Sequence, residues 1–328
     1  MTCEKGIERV MATIKDIAYA TGVSAMTVSR YFNEPEKLKP QTYERIKAAV
    51  EEMGYQPNMV ARLLATKRTN IICVYITSDI GALHPFTLQT IAGIGEKLGE
   101  NGYSMLLTRD EYEKQNCDGI IAMGLNAEQE KELLELSEKK AIIIFGNNSY
   151  KNNWVDINNY QGSYMATEYM IQRGYKKIGI IGIDNDQSYS EDRFQAYLDC
   201  MREHGFVVPK NGTIKVYNHE DDGYKAAAQL LQSADIDGLV CSSDALALGV
   251  MRYANENNIV VPEDLGVIGF DGLGYEKLVT PNLTTIQQPV YEAGKIIAER
   301  MMKVLKSGNY AGTEMFIEPI LQVNGSTK

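Results

Sequence analysis

The apolar positions near the start of the chain fall at helical spacing: Ile14, Ile17 and Ala18, then, after Gly22, Val23, Val28 and Tyr31. The pattern predicts a helix, a sharp turn and a second helix. Thr13 with Asp16 three positions on suits a capping box for the first helix, expected through Tyr19, and Ser24 is placed to cap the second. The second helix turns Ala25, Met26, Ser29 and Arg30 away from Val28. A third helix over 41–53 carries Ile46, Ala49, Val50 and Met53 as its stripe and closes a three-helix core. Any short amphipathic pair shows such stripes. Here Ala18, Gly22 and Val28 stand where closely crossing helices need them, which favours a DNA-binding helix-turn-helix.

The stretch GYQPNMVARLLATKRTN follows, with Pro57 as a stop, Asn58 as a cap and 59–65 as one to two helical turns bearing Arg62, with Lys67 and Arg68 beyond. So short a helix is marginal in water. Two readings stay open: a linker with a frayed turn, or a hinge that becomes helical only on DNA.

From residue 71 the pattern changes to strands and helices in alternation. IICVYIT, YSMLLT, DGIIAMG and AIIIFG are β-rich runs, with TLQTIAGIGEKLGENG and AEQEKELLELSEKK between two pairs of them. A second series, KKIGIIG, GTIKVY, GLVCSS and LGVIGFDG, is joined by RFQAYLDCMREHG, DGYKAAAQLLQSA and ALALGVMRYANENN. Two such series predict two parallel-sheet lobes with helices on both faces and ligands beyond the carboxyl ends of the strands. One connection breaks the rule. Between YSMLLT and CDGIIAMG only RDEYEKQN intervenes, too little for the usual crossover helix, so the second strand is connected unusually or a helix is missing.

Charge sharpens the division. The net charge is −10, which by itself argues against nucleic acid, but residues 1–70 hold eleven Lys and Arg against eight Asp and Glu, a charge of +3, leaving −13 on the rest. A mildly basic head on an acidic body is the asymmetry of a DNA-binding module attached to something else. Cys3, Cys73, Cys117, Cys200 and Cys241 have no metal-ligand spacing and read as reduced, buried thiols of a cytoplasmic protein. No apolar run approaches a membrane span, and MTCEKGIERV lacks the core of a signal peptide. Residues 1–12 are expected to be a disordered extension, with Met11 a credible start.

Enzymatic readings find no machinery. GIIGIDND has Gly179 and Gly182 but no third glycine opening the next helix, there is no P-loop, and His84, His204 and His219 stand in no catalytic or metal constellation. The expectation is a binding clamp with no cofactor and no metal. Sugar recognition needs planar polar groups around hydroxyls and an aromatic face for the ring. Loop positions after strands supply Asp79, His84, Phe86, Asn158, Arg193, Ser243, Asp271 and Gln287, with Tyr160, Tyr189 and Tyr275 as wall residues. Asp271 is read as a ligand contact over a turn-former before Gly272, and Asp244 as a helix N-cap over a ligand contact.

TIKDIAYATGVSAMTVSRYFN followed by MGYQPNMVARLLATKRTNII resembles the head and hinge of the lactose/galactose-repressor family of bacterial transcription regulators, and the similarity continues to the C-terminus. The resemblance implies a symmetric dimer whose second helices enter successive major grooves while paired hinge helices kink the minor groove. It implies Arg30 as the base-edge reader, Ala25 and Met26 as specificity positions, Thr27 and Ser29 as phosphate contacts, and Leu64 as the wedge between base steps. Thr13, Ser24, Asn58 and Arg62 complete the DNA-facing set. In the clamp it marks Arg193 and Asp271 as the most regular effector contacts, and Asn158 stands where the family often has Asp. Ala25 and Met26 are apolar, so contact with thymine methyls is expected there.

The resulting expectation is a small all-α helix-turn-helix head plus an α/β effector domain of two parallel-sheet, periplasmic-binding-protein-like lobes. The head spans 13–57, the hinge helix and linker 58–69, and the effector and dimerisation domain 70–328, with lobe one about 70–158 plus 288–312 and lobe two about 159–287 plus 313–328. The expected function is a non-enzymatic repressor controlled by a small ligand, a monosaccharide first. Its partners are palindromic operator DNA and a second copy of itself, with a tetramer as the further option. The alternatives are a corepressor-dependent regulator answering to a purine or a phosphorylated carrier protein, and a sugar-binding protein without DNA function.

Overall fold

The computed structural model describes residues 12–55, 68–77, 81, 84–109, 116–147, 153–308 and 312–328. The expected extension before residue 12 and the hinge helix lie outside them. The chain divides into two compact units, 1–69 and 70–328.

In the first unit, α1 (Ile14–Thr21), α2 (Ala25–Asn33) and α3 (Pro40–Met53) enclose Ile17, Ala18, Val28 and Ile46. Every boundary has a local cause. Thr13 Oγ1 accepts from Asp16 N–H while Asp16 Oδ2 accepts from Thr13 N–H at 2.8 Å, the predicted capping box. α1 runs two residues past Tyr19 because Gly22, at φ +60°, closes it with its N–H on the Ala18 and Tyr19 carbonyls. Ser24 Oγ accepts from Thr27 N–H at 3.1 Å and caps α2. α3 starts one residue early, on Pro40, whose missing N–H costs nothing in the first turn.

The second unit holds two six-stranded sheets. The first is ordered β11-β5-β4-β3-β1-β2 and wholly parallel. Its strands are β1 (Ile71–Ile76), β2 (Ser104–Thr108), β3 (Gly119–Met123), β4 (Ala141–Phe145), β5 (Trp154–Ile157) and β11 (Glu314–Ile317). One face buries Ile72, Val74, Ile121 and Ile143 under α4 (Pro85–Glu100) and α10 (Val290–Ser307); the other buries Cys73, Ile120 and Ile142 with Leu133 of α5 (Ala127–Ser137). α4 and α10 touch at glycines: a Cβ on Gly294 would stand 2.3 Å from the Thr90 carbonyl oxygen.

The second sheet is ordered β12-β10-β9-β8-β6-β7, with β6 (Ile178–Ile183), β7 (Thr213–Val216), β8 (Gly238–Cys241), β9 (Gly266–Asp271), β10 (Thr284–Gln287) and β12 (Ile320–Gln322). Only the β10–β12 pair is antiparallel. α6 (Asn159–Gln172) and α7 (Ser188–Glu203) pack together, as do α8 (Glu220–Ser233) and α9 (Asp244–Glu256). Cys73, Cys117, Cys200 and Cys241 are free and buried.

Two expectations need correction. Each lobe has six strands rather than four, because β5, β10, β11 and β12 are short and each broken by polar residues, Asp156, Thr284, Glu314 and Gln322 among them, so that none stands out as an apolar run. The segment 313–328 does not belong wholly to the second lobe: β11 pairs with β5 in the first sheet, and β12 joins β10 in the second. The chain therefore crosses between lobes three times, at Asn158, at 288–289 and at 318–319. The short connection leads from the edge strand β2 over β1 to β3, both neighbours running parallel to β1. It holds no helix among its described residues, with 110–115 outside them, whereas its counterpart between β7 and β8 carries α8.

Candidate effector cleft and DNA-facing helix

In the head, Thr13, Ser24, Ala25, Met26 and Arg30 are exposed and Thr27 and Ser29 half-buried, while Val28 lies in the core. Met26 is 68% exposed, a high value for an apolar side chain and one that leaves it free to meet a partner. Asn58, Arg62 and Leu64 lie outside the described residues.

The clamp encloses a cavity of about 560 Å³, within the range of small-molecule sites. Its wall gathers at the carboxyl ends of strands, with Met123, Phe145, Ile183 and Asp271 closing β3, β4, β6 and β9. On the first lobe, Phe86 stacks on Phe145 with ring centroids 5.2 Å apart. His84 caps α4, its Nδ1 accepting from Phe86 N–H at 3.3 Å.

The polar centre is built on Arg193, in the second turn of α7. It is 4% exposed. Nε and Nη2 donate to Asn159 Oδ1 at 2.9 and 2.7 Å, and Nη1 donates to the Ser242 carbonyl at 2.7 Å. The guanidinium carbon lies 3.6 Å from the Phe270 ring centre, and Nη1 is 3.6 Å from Asp271 Oδ1. These partners occupy three of its five N–H bonds. Asp271 adopts φ +132° and accepts from Gln288 Nε2 at 2.7 Å. Burial pushes its carboxyl up, opposed by the Arg193 charge.

Two further carboxyls in the wall hold protons more tightly than usual. Burial pushes Asp156 up to about 6, partly offset by its bonds from the Asn147 and Ile157 N–H groups. Burial alone pushes Glu130, in the first turn of α5, up to about 7. With Asp186 and Asp271, the described wall carries four carboxyls against the Arg193 guanidinium and the His84 imidazole.

Residues 13–58 match the model for bacterial regulatory proteins of the lacI family, and residues 167–327 match the periplasmic binding protein-like domain. The chain is 34% identical to the uncharacterized HTH-type transcriptional regulator YvdE of Bacillus subtilis (strain 168), over 97% of this chain and 100% of that one. It belongs to the lacI family of regulators. A second family member, the probable HTH-type transcriptional repressor ExuR of the same organism, is 30% identical over 90% of this chain and 92% of its own. Among solved structures, a complex of the transcriptional regulator CelR with cellobiose superposes with a TM-score of 0.72 at 25% identity, covering 96% of this chain and 99% of that one.

This lacI-family regulator brings together only part of the predicted ligand set. His84, Phe86, Arg193 and Asp271 line the cavity, as does Tyr189. Gln287 does not. It is the last residue of β10, and its neighbour Gln288 enters the wall instead. Asn158 caps α6, accepting from Gln161 N–H at 3.0 Å, and donates to Glu318 at 3.1 Å, which ties two lobe crossings together. Ser243 caps α9 through Leu246 N–H and donates to Asn218, which is the residue that reaches the wall. Asp244 is therefore not the cap. Tyr160 donates to Asp199 and, like Tyr275, is absent from the wall, and Asp79 lies outside the described residues.

Asn159, Asp156, Glu130 and Gln288 were not expected in this lacI-family cleft. Recognising β5 and β10 as strands would have put Asp156, Asn159 and Gln288 at strand ends and so into the candidate set. Glu130 carries no such signal.

Proposed function

We propose that this regulator is a cytoplasmic homodimeric repressor whose hold on a palindromic operator is set by an uncharged, hydroxyl-rich effector, a sugar, bound in the cleft. The observation that carries the reading is the state of Arg193. Its charge faces Asp271 and its fork is largely occupied by Asn159 and Ser242, so no unpaired cation stands among the described wall residues for a phosphate or carboxylate. Four carboxyls repel anions but accept hydroxyl protons, and Phe86 offers a ring face to sugar C–H bonds. The similarity to a regulator solved with cellobiose supports the same class. The sequence pointed to a monosaccharide, and a 560 Å³ cavity also has room for a longer sugar.

Coupling to DNA follows if the sugar binds one arrangement of the two lobes better than the other, since a ligand shifts an equilibrium only by its differential affinity. Calorimetric titration with neutral sugars, hexuronates, sugar phosphates and purines tests the reading. Neutral sugars are expected to bind, and Asp271→Asn to weaken them about tenfold or more. Preferential binding of an anion, or of a purine over every sugar, would overturn it.

A further inference from the structure

Asp244 opens α9, where an aspartate ordinarily serves the helix, yet Ser243 does that work. Its carboxyl turns away to β9 and β10. Oδ2 accepts from Gly272 N–H at 2.8 Å and Oδ1 accepts from the Thr285 hydroxyl at 2.6 Å, with the residue wholly buried and outside the cavity wall. Contact with β9 is close enough that a Cβ on Gly269 would fall 2.3 Å from Asp244 Oδ1.

What Asp244 grips is an unfavourable turn. Asp271 at φ +132° and Gly272 at +61° both lie where L side chains are rarely found, and only neighbouring structure keeps a non-glycine residue there. Gln288 holds the turn from one side, its N–H donating to the Asp271 carbonyl at 2.9 Å and its Nε2 to the side chain. Asp244 holds it from the other.

We propose that Asp244 is a positioning residue of the effector cleft: by fixing Gly272 N–H it keeps the Asp271 turn in the backbone that presents the Asp271 carboxylate to the cavity. The cleft's role as an effector site rests on the function proposed above; the hold on the turn does not. Asp244 also touches Asp271 directly: its backbone N–H bonds the Asp271 carboxyl and favours the ionised form, while the Asp271 charge raises the affinity of the Asp244 side chain for protons. Burial and Asp271, with Glu276 adding, push Asp244 up to about 7. Facing Asp271 are Arg193 and His84, which favour its ionised form, and around Arg193 stand Tyr189 and Asp156.

Two variants separate a kept hold on the turn from a lost one. Asp244→Asn keeps an acceptor for Gly272 N–H and turns its amide to Thr285, while Asp244→Ala releases both. The first measurement uses the full chain without effector. Asp244→Ala is expected to speed hydrogen exchange at Gly272 N–H at least about tenfold, and Asp244→Asn to leave it near the wild-type rate. Unmoved exchange in Asp244→Ala overturns the proposal.

The second measurement titrates wild type and both variants with glucose, galactose, ribose and cellobiose across acid and neutral pH. For any of these that binds wild type, Asp244→Ala is expected to lose about tenfold in affinity at every pH. Asp244→Asn is expected to lose little. A merely stabilising Asp244 would lower the melting temperature of Asp244→Ala with sugar affinity unchanged, and this would overturn the proposal. If no sugar binds wild type while the first measurement comes out as expected, the hold on the turn stands and the sugar reading fails.

Discussion

Arg193 holds Asn159 by two hydrogen bonds to a single oxygen, with Nε at 2.9 Å and Nη2 at 2.7 Å from Oδ1. A planar fork can do this while a third N–H reaches the Ser242 carbonyl; a lysine ammonium on a flexible stem cannot span both. Arg193→Lys is therefore expected to leave Asn159 or Ser242 under-bonded in a buried site. The expected cost is about 1–3 kcal/mol in urea unfolding, with effector affinity down about tenfold or more by calorimetry. Stability and affinity both within error of wild type would show that the fork is dispensable.

For the head, Arg30 is the exposed cation of α2 and the candidate for a guanine edge. Arg30→Ala should cost about 1–3 kcal/mol on the operator and relax specificity at one symmetric base pair. Fluorescence anisotropy on operator and random DNA measures both. An equal loss on the two would reassign Arg30 to the phosphate backbone.

Glu130 gives a pH signature in stability. Burial raises its pKa from the ordinary range to about 7, so folding carries a penalty for ionising this carboxyl. The penalty is absent below the unfolded pKa, grows as pH rises between the two values and is complete above about 7. Glu130→Gln should therefore raise the melting temperature more at pH 8 than at pH 4. Equal shifts at both would mean the side chain acts through packing alone.

Gly294 tests the helix crossing of the first lobe. Within a helix alanine is favoured over glycine by up to about 1 kcal/mol, but a Cβ here would stand 2.3 Å from a backbone oxygen, and overpacking of that kind costs about 1–3 kcal/mol. The clash wins, so Gly294→Ala should lower the urea midpoint. Gly99→Ala on α4, where nothing lies within 4 Å, should leave it unchanged or raise it. Like behaviour of the two would show that the helices can slide apart freely.

The head was legible almost to the residue because its signals are local: Thr13, Gly22 and Ser24 act on neighbours within four positions. Buried strands such as IICVYI and AIIIF were legible for a related reason, being apolar throughout. TTIQ and WVDI were not. β10 is three-quarters polar, and its Thr284 and Thr285 are satisfied by Thr327, Asn324 and Asp244, about forty residues away in either direction. Missing β10 also misassigned Gln287 for Gln288, since strand register decides which side chain faces the cleft. Asp244 shows the same competition from the other side, where a local helix-cap rule lost to two tertiary donors.

The three lobe crossings leave neither half of the clamp contiguous, and this orders events during synthesis. The head needs only residues up to Met53 to close its core around Ile46. The first sheet must wait for α10 and then for β11, more than two hundred residues after its first strand, and the second waits for β12. At roughly 5–20 residues per second the head is complete while both sheets remain unfinished on the ribosome for ~13 s or longer. A message broken anywhere between these points would release a folded DNA-reading head on a body that cannot close, competent to find DNA and deaf to any ligand.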